Sequence, residues 1–146
     1  MSQNVVTIDN LVKRYGDQIA VDHFSLHVED GEILGLLGPN GSGKTTTINC
    51  LLSLLKYDKG EITVFGKPMS PSAYDIKEKI GVVMQNVAVI ETLNVLENVD
   101  FFCGLYIKDK DTRKKYVEEA LEYTGLTEYK KYKPKKLSGG LLRRLN

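Results

Sequence analysis

The sequence predicts an α/β fold organised around a phosphate-binding loop, and three observations predict it. Gly38-Pro39-Asn40-Gly41-Ser42-Gly43-Lys44-Thr45 follows the pattern of Gly, four residues, Gly, Lys, then Ser or Thr. That stretch stands between an apolar run, Glu32 to Leu37, that reads as a buried strand, and a segment, Thr45 to Leu55, that reads as a helix with Ile48, Leu51, Leu52 and Leu55 on its apolar side. Apart from that helix and one short helical turn, strand-like patterns make up the first half of the chain, whereas the longer helix-like patterns lie after residue 87. A glycine turn that merely caps a helix would explain Gly41 and Gly43 but gives no reason for Lys44 followed by Thr45.

The residue types suit phosphate chemistry. Glycines at 38, 41 and 43 let the backbone curl toward an oxyanion with no Cβ in the way. Successive N–H groups then point inward as an anion nest, and the helix that begins there adds the positive end of its dipole. Lys44 can set an ammonium on the β- and γ-phosphates, and the Thr45 hydroxyl can ligate Mg²⁺. A dinucleotide fingerprint is excluded, because Thr46 stands where a third small glycine is needed.

Composition sets the outer bounds. A chain of 146 residues is about one domain, and 42% hydrophobic with 27% charged residues is ordinary for a globular protein. The longest uncharged runs, Ile33–Gly43, Thr45–Leu55 and Ile80–Ile90, are 11 residues each, short of the roughly 18 that span a bilayer. The first ten residues lack the basic and apolar regions of a secretory signal. Cys50 and Cys103 are far apart, each on a predicted helix's apolar stripe, and read as reduced core residues. Residues 1–100 carry a net charge of −5 and residues 101–146 one of +6. A basic C-terminal part can face an anionic partner, but a solvated helical face is the more economical reading.

In chain order, Val5 to Val12 reads as a strand with Val6, Ile8 and Asn10 toward one face, ending in a turn at 13–17. Ile19 to Val28 is a second strand, half solvated, joined to the loop's strand by a tight turn at Glu29-Asp30-Gly31. His23 and His27 share a face there, but no third ligand supports a metal site. After a turn at 57–60, Glu61 to Phe65 is a strand with Ile62 and Val64 facing one way. A Pro-containing loop over 66–72 and a helical turn over 75–79 follow. Ile80 to Met84 is a continuous apolar run, predicted to be a strand covered on both faces, with polar Gln85 and Asn86 at its C-terminal end. Asn94 to Tyr106 is a helix with a capping-box start and a stripe of Val95, Val99, Phe102, Cys103 and Tyr106. Thr112 to Thr124 is another, with Tyr116, Val117, Ala120 and Leu121 inward and Gly125 closing it. Lys130 to Lys136 holds five lysines in seven residues, with Pro134 expected to prevent a regular element. Leu137-Ser138-Gly139-Gly140 is a second glycine turn opening a last helix.

With these elements in place, the chain from about Val5 to Asn146 resembles the ATP-binding domain of ABC transporters. Four features occur in that family's order: Tyr15 in the phrase LVKRYGD, the phosphate loop, Gln85 after IGVVM, and Leu137-Ser138-Gly139-Gly140. The resemblance implies a P-loop NTPase fold with an antiparallel β subdomain and a helical subdomain, divided at about 1–86 and 87–146. It implies ATP and Mg²⁺ as cofactors. Tyr15 would stack on adenine. Gly38, Pro39, Asn40, Gly41, Ser42, Gly43, Lys44, Thr45 and Thr46 would hold the phosphates. Gln85, with Thr45, would contact Mg²⁺. Ser138, Gly139 and Gly140 would act in trans on the nucleotide of a second ATP-binding domain in a head-to-tail dimer. The implied partner is a transmembrane permease, with the chain peripheral on the cytoplasmic face of the membrane and no nucleic acid involved.

Two departures refine this expectation. Leu141 stands where the commonest signature has Gln, and Arg143-Arg144 follow, which is similar to drug- and natural-product-type exporters. The family's next strand, with its Mg²⁺-binding Asp and catalytic Glu, and its later switch His are absent from the 146 residues. The sequence therefore reads as a domain incomplete at its C-terminus, with two interior sheet edges bare and with negligible hydrolysis by this chain alone. The alternatives are a non-transport ABC-type ATPase acting on ribosomes or DNA, or a nucleotide-binding remnant without turnover.

Overall fold

The computed structural model describes residues 4–146. The chain divides into two compact units, Met1–Gly81 and Val82–Asn146.

The first unit is built on a four-stranded antiparallel sheet in the order β2-β1-β3-β4. Its strands are β1 (Asn4–Tyr15), β2 (Gln18–Glu29), β3 (Lys59–Val64) and β4 (Lys67–Pro68). Ile8 sits opposite Leu26 on one side and Ile62 on the other, so three apolar side chains meet across the sheet. The simple alternation expected for β1 breaks at Asn10. Asn10 has φ 48°, and the register against β2 shifts between Ile8 and Leu11. This is a β-bulge, and the extra residue turns Asn10 outward and brings Leu11 into the core. The bulge is braced twice: the Asn10 N–H donates to Ser25 Oγ at 2.9 Å, and Gly60 packs against its backbone. A Cβ on Gly60 would stand 2.6 Å from the Asp9 carbonyl oxygen and 2.7 Å from that of Asn10.

Helix α1 (Lys44–Leu51) and the short α2 (Tyr74–Lys77) complete this unit. The core joins Ile8, Leu11, Val21, Ile62 and Val64 of the sheet to Cys50, Met69 and Ile76. Each large apolar side chain buried in this way contributes roughly 1.5–3 kcal/mol relative to exposure. Helix α1 ends four residues earlier than its apolar pattern suggests, with Ser53 turning the chain at φ 56°. Thr47 and Cys50 face inward, whereas Ile48 and Leu54 are exposed.

The second unit contains α3 (Val95–Gly104), α4 (Lys110–Tyr123) and α5 (Gly139–Leu145). Val95, Val117, Leu121 and Leu126 form its buried centre. The Asn94–Glu97 capping box is present with both reciprocal bonds, at 2.9 and 2.6 Å. Asp109 caps α4 by accepting from the Thr112 N–H at 2.9 Å, and Gly125 closes that helix at φ 67°. Four inward assignments are corrected. Phe102, Tyr106, Tyr116 and Ala120 are exposed, Tyr106 by 78%, and the stripe of α3 instead buries Asn98. Pro134 does not exclude regular structure: it opens a 3₁₀ turn over Pro134–Lys136, where its missing N–H costs nothing.

The largest correction concerns the two segments predicted as covered strands. Neither 32–37 nor 80–84 forms a strand. Both lack a ladder to any described strand, and most of their apolar side chains lie open, with Ile33 99% and Leu37 92% exposed, whereas Leu36 and Ile80 are half-buried. An apolar run records what a segment would bury, but a strand exists only where a neighbour supplies the hydrogen bonds. No helix among the described residues is long and apolar enough to cross a membrane.

Candidate functional site

The phosphate loop lies in the first unit and leads directly into α1. Gly43 is the N-cap at φ 85°, with no side-chain cap bond. Its glycine is obligatory for two reasons. The φ is left-handed, and a Cβ there would stand 2.4 Å from the Ala20 carbonyl oxygen in β2. The loop is thus pressed against the sheet at the point where the helix begins. Gly41 also has a left-handed φ, 83°. The Ser42 N–H donates to the Pro39 carbonyl at 3.3 Å, and the Thr47 N–H to that of Gly43 at 2.8 Å. The first-turn N–H groups of α1 have no partner within the helix and are available to an anion.

Lys44 folds back over this loop. Its Nζ donates to the carbonyls of Gly38 and Pro39, both at 2.7 Å, and reaches Ser42 Oγ at 3.4 Å. The ammonium is therefore held at the mouth of the loop by the backbone that would surround a phosphate. Thr45 is exposed, with its hydroxyl open to solvent, and Thr46 is half-buried. No acidic residue lies between Gly38 and Thr46. A nest of N–H groups, one ammonium and one open hydroxyl fit a Mg²⁺-bound polyphosphate. A cavity of about 490 Å³ lies between β2 and the loop, lined by Ile19, Phe24 and Leu37 as well as Gly38, Ser42 and Lys44.

Tyr15 belongs to the same unit. It ends β1 at a two-residue turn, Gly16-Asp17, paired with Gln18. Its ring is 52% exposed, with Lys13 Nζ 5.1 Å from the centroid. It is an accessible aromatic surface on the hairpin whose second strand lines the cavity.

Gln85 and the Ser138–Gly140 turn belong to the second unit. Gln85 is exposed in an irregular segment. Ser138 is the N-cap of α5, where its Oγ accepts from the Leu141 N–H at 3.3 Å and keeps its own O–H free to donate. Gly139 and Gly140 have ordinary φ values, and a Cβ on either would meet nothing within 4 Å. Nothing inside the chain requires glycine there.

The remaining residues singled out in the sequence do not form sites. His23 is paired with Asp22 at 2.7 Å, and no cluster of metal-ligating side chains occurs among the described residues. Cys50 and Cys103 are free thiols. Burial is the main cause that pushes both thiols above their ordinary range, which keeps them protonated and unreactive. The lysine-rich segment is largely committed locally. Lys130 pairs with Glu118, Lys133 with Glu97, and Lys135 with Glu91. Its backbone also caps α3: the carbonyls of Tyr132 and Lys130 accept from the N–H groups of Val95 and Leu96 at 3.0 Å. Sequence reasoning missed Asn98, Arg143 and Asn146, all of which bond to the backbone of the Gln85 segment. An Asn on an apolar stripe was the available signal for Asn98; Arg143 and Asn146 carried none.

A family model described as ABC transporter matches residues 21–146. The linearmycin resistance ATP-binding protein LnrL of Bacillus subtilis is 42% identical over 138 residues, covering 94% of this chain and 44% of that protein. The chain spans under half the length of the curated relatives it matches. Among solved structures, cbiO1 of Clostridium perfringens, part of the ABC transporter complex cbiONQ, superposes with a TM-score of 0.88 at 27% identity. That match covers 97% of this chain and 59% of cbiO1. The bacterial ABC transporter cassette MJ0796, solved as a dimer, gives 0.80 at 28% identity, covering 96% of this chain and 66% of MJ0796.

Proposed function

The chain belongs to the ABC transporter family, as an ATP-binding domain, and from that premise we propose that it is the ATP-binding subunit of a transporter working in export. Its fold is a mixed α/β P-loop NTPase fold with an antiparallel β-sheet. The observation that carries the reading is the phosphate loop, with Gly43 locked against β2 and the Lys44 ammonium held on the Gly38 and Pro39 carbonyls. In this reading Gly38–Thr46 hold the phosphates of ATP, and Tyr15 offers its ring to the adenine. Thr45 and Gln85 each carry an oxygen that would suit Mg²⁺, which would neutralise charge on the phosphate oxygens when bound. Ser138, Gly139 and Gly140 serve the nucleotide of a second ATP-binding domain. Support for this last role is that a Cβ on either of the two adjacent glycines would meet nothing within 4 Å, so the glycines leave room for a group that approaches from outside.

The partners in this proposal are a second ATP-binding domain and a transmembrane permease, which places the chain on the cytoplasmic face of the membrane. Export is favoured by the resistance function printed for LnrL and by Leu141 followed by Arg143-Arg144 in the signature helix. The permease, rather than this chain, would select the cargo.

Equilibrium binding of a fluorescent ATP analogue with Mg²⁺ tests the core of the reading. Lys44→Ala removes the ammonium but none of the glycines, and is expected to weaken binding on the order of 100-fold, as loss of a charge-assisted contact does. Equal affinity in both proteins would overturn the assignment. Co-purification with a multi-spanning membrane subunit tests the partner.

A further inference from the structure

Gln85 sits in a segment that neither a sheet nor a core holds. Residues 82–93 contain no helix or strand, and residues 82–88 all expose their side chains. What holds the segment is a set of side chains reaching its backbone. The Arg143 guanidinium donates to the Met84 carbonyl at 2.5 Å and to that of Gln85 at 3.3 Å. The Asn146 Nδ2 donates to the same Met84 carbonyl at 3.1 Å, and its Oδ1 accepts from the Ala88 N–H at 2.6 Å. Arg143 lies within α5 and Asn146 is its C-cap. Their spacing of three puts them on one side of the helix. Farther along, Asn98 closes the segment: Oδ1 accepts from the Ile90 N–H, and Nδ2 donates to the carbonyls of Ile90, Leu93 and Asn94.

We propose that Arg143 and Asn146 are positioning residues for Gln85. They fasten the backbone on both sides of Gln85 to α5, leaving its side-chain amide free. The same helix carries the Ser138–Gly140 turn at its other end, about 10 Å away at a rise of 1.5 Å per residue. The amide of Gln85 and the signature turn are thus held as one body. This inference rests on the reading of both as nucleotide-facing groups. The choice of side chains fits the task. A guanidinium holds its N–H donors in a fixed plane, and here Nη1 alone meets both successive carbonyls, which an ammonium on a flexible stem does less well. An amide can donate to one backbone group while accepting from another. Because all these bonds go to backbone atoms, they set where Gln85 stands without occupying it.

Residue-resolved amide hydrogen exchange on the 146-residue chain reads the clamp directly. In Asn146→Ala the Ala88 amide loses its partner, and its exchange is expected to accelerate on the order of tenfold. The amides of α3 and α4 should keep their protection, which shows that the unit still folds. Arg143→Lys, the milder companion to Arg143→Ala, keeps the charge but loses the fork, and should loosen the segment less. The second readout is the Mg²⁺ dependence of labelled-ATP affinity. Arg143→Ala should shift it in the same direction as Gln85→Ala, and the double variant should be no worse than Gln85→Ala alone. Unchanged Ala88 exchange in Asn146→Ala overturns the proposal. So does full additivity of Arg143→Ala with an effective Gln85→Ala. If Gln85→Ala has no effect on Mg²⁺ dependence, the nucleotide-facing reading of Gln85 fails on its own, and Ala88 exchange alone then decides the clamp.

Discussion

The phosphate loop and the Gln85 segment are both irregular and exposed, yet they are held in opposite ways. The loop is closed on itself. Lys44 grips Gly38 and Pro39, six and five positions back, and the Ser42 N–H bonds to the Pro39 carbonyl. The Gln85 segment is held from a distance, by Arg143 and Asn146, which lie 58–62 positions away from the groups they bind. A self-closed loop keeps its shape through local covalent and steric rules. A remotely held one keeps its shape only while a separate helix stays packed.

The sharpest way to break the comparison is to remove the loop's steric lock. Gly43→Ala would force a Cβ to 2.4 Å from the Ala20 carbonyl at a φ of 85°. The expected cost is more than about 3 kcal/mol, since both a left-handed conformation and a backbone clash are imposed. Urea denaturation measures the stability, and exchange shows where it is lost. The damage should appear in residues 38–50 and at β2, with ATP binding abolished and the second unit's amides unmoved. Loss spread evenly over both units would show that the loop is less self-contained than its bonds indicate.

Removing the nearer anchor, which closes the far end of the second segment, is the complementary experiment. Asn98 is 1% exposed and makes four bonds to the segment from Ile90 to Asn94. Asn98→Ala leaves the Ile90 N–H without its partner, together with a small cavity, at an expected cost of about 2 kcal/mol. Here the amides that lose protection should lie before α3 rather than within it. A loss confined to the body of α3 would mean that Asn98 serves its own helix and not the segment.

This difference also explains what was legible from the sequence. The phosphate loop, the Asn94–Glu97 capping box and the Gly125 stop were readable because each closes within a few residues, so pattern and structure coincide. Ile62 and Val64 were readable because alternation reports a half-buried strand directly. Ile33 and Leu37 were misread because the pattern reports apolarity, whereas burial depends on a ladder partner elsewhere. Ile48 was misplaced, since Thr47 and Cys50 face inward beside it, whereas Leu51 and Leu55 do pack against the core as their apolarity indicates. Asn10 was misplaced because a bulge adds a residue that periodicity cannot count. Of the candidate site, the left-handed glycines and the helix that starts at Lys44 were legible, but the supports of Gln85 were not, since no local rule links Arg143 to Met84.

Acid pH separates the two kinds of anchoring with the smallest expected effect. The carboxyl of Asp109, capping α4, is held below the usual carboxylate range by its hydrogen bond from Thr112. Asp75 is held low first by its hydrogen bond from Lys67, and the two groups are 2.6 Å apart. A carboxyl held low in the folded state stabilises it fully above the unfolded pKa of about 4, and that stabilisation is lost as pH falls through the folded value. Neither group supports the loop or the Gln85 segment. Those rest on hydrogen bonds from the Lys44 ammonium, the Arg143 guanidinium and the side-chain amides of Asn146 and Asn98, with no carboxylate side chain among them. Lowering the pH from about 5 to about 3 should therefore fray the first turn of α4 and the Lys67–Asp75 contact. Exchange at Ala88, corrected for its intrinsic pH dependence, should stay constant. If Ala88 loosens in step with α4, the Gln85 segment depends on helix packing more than on the bonds that hold its backbone.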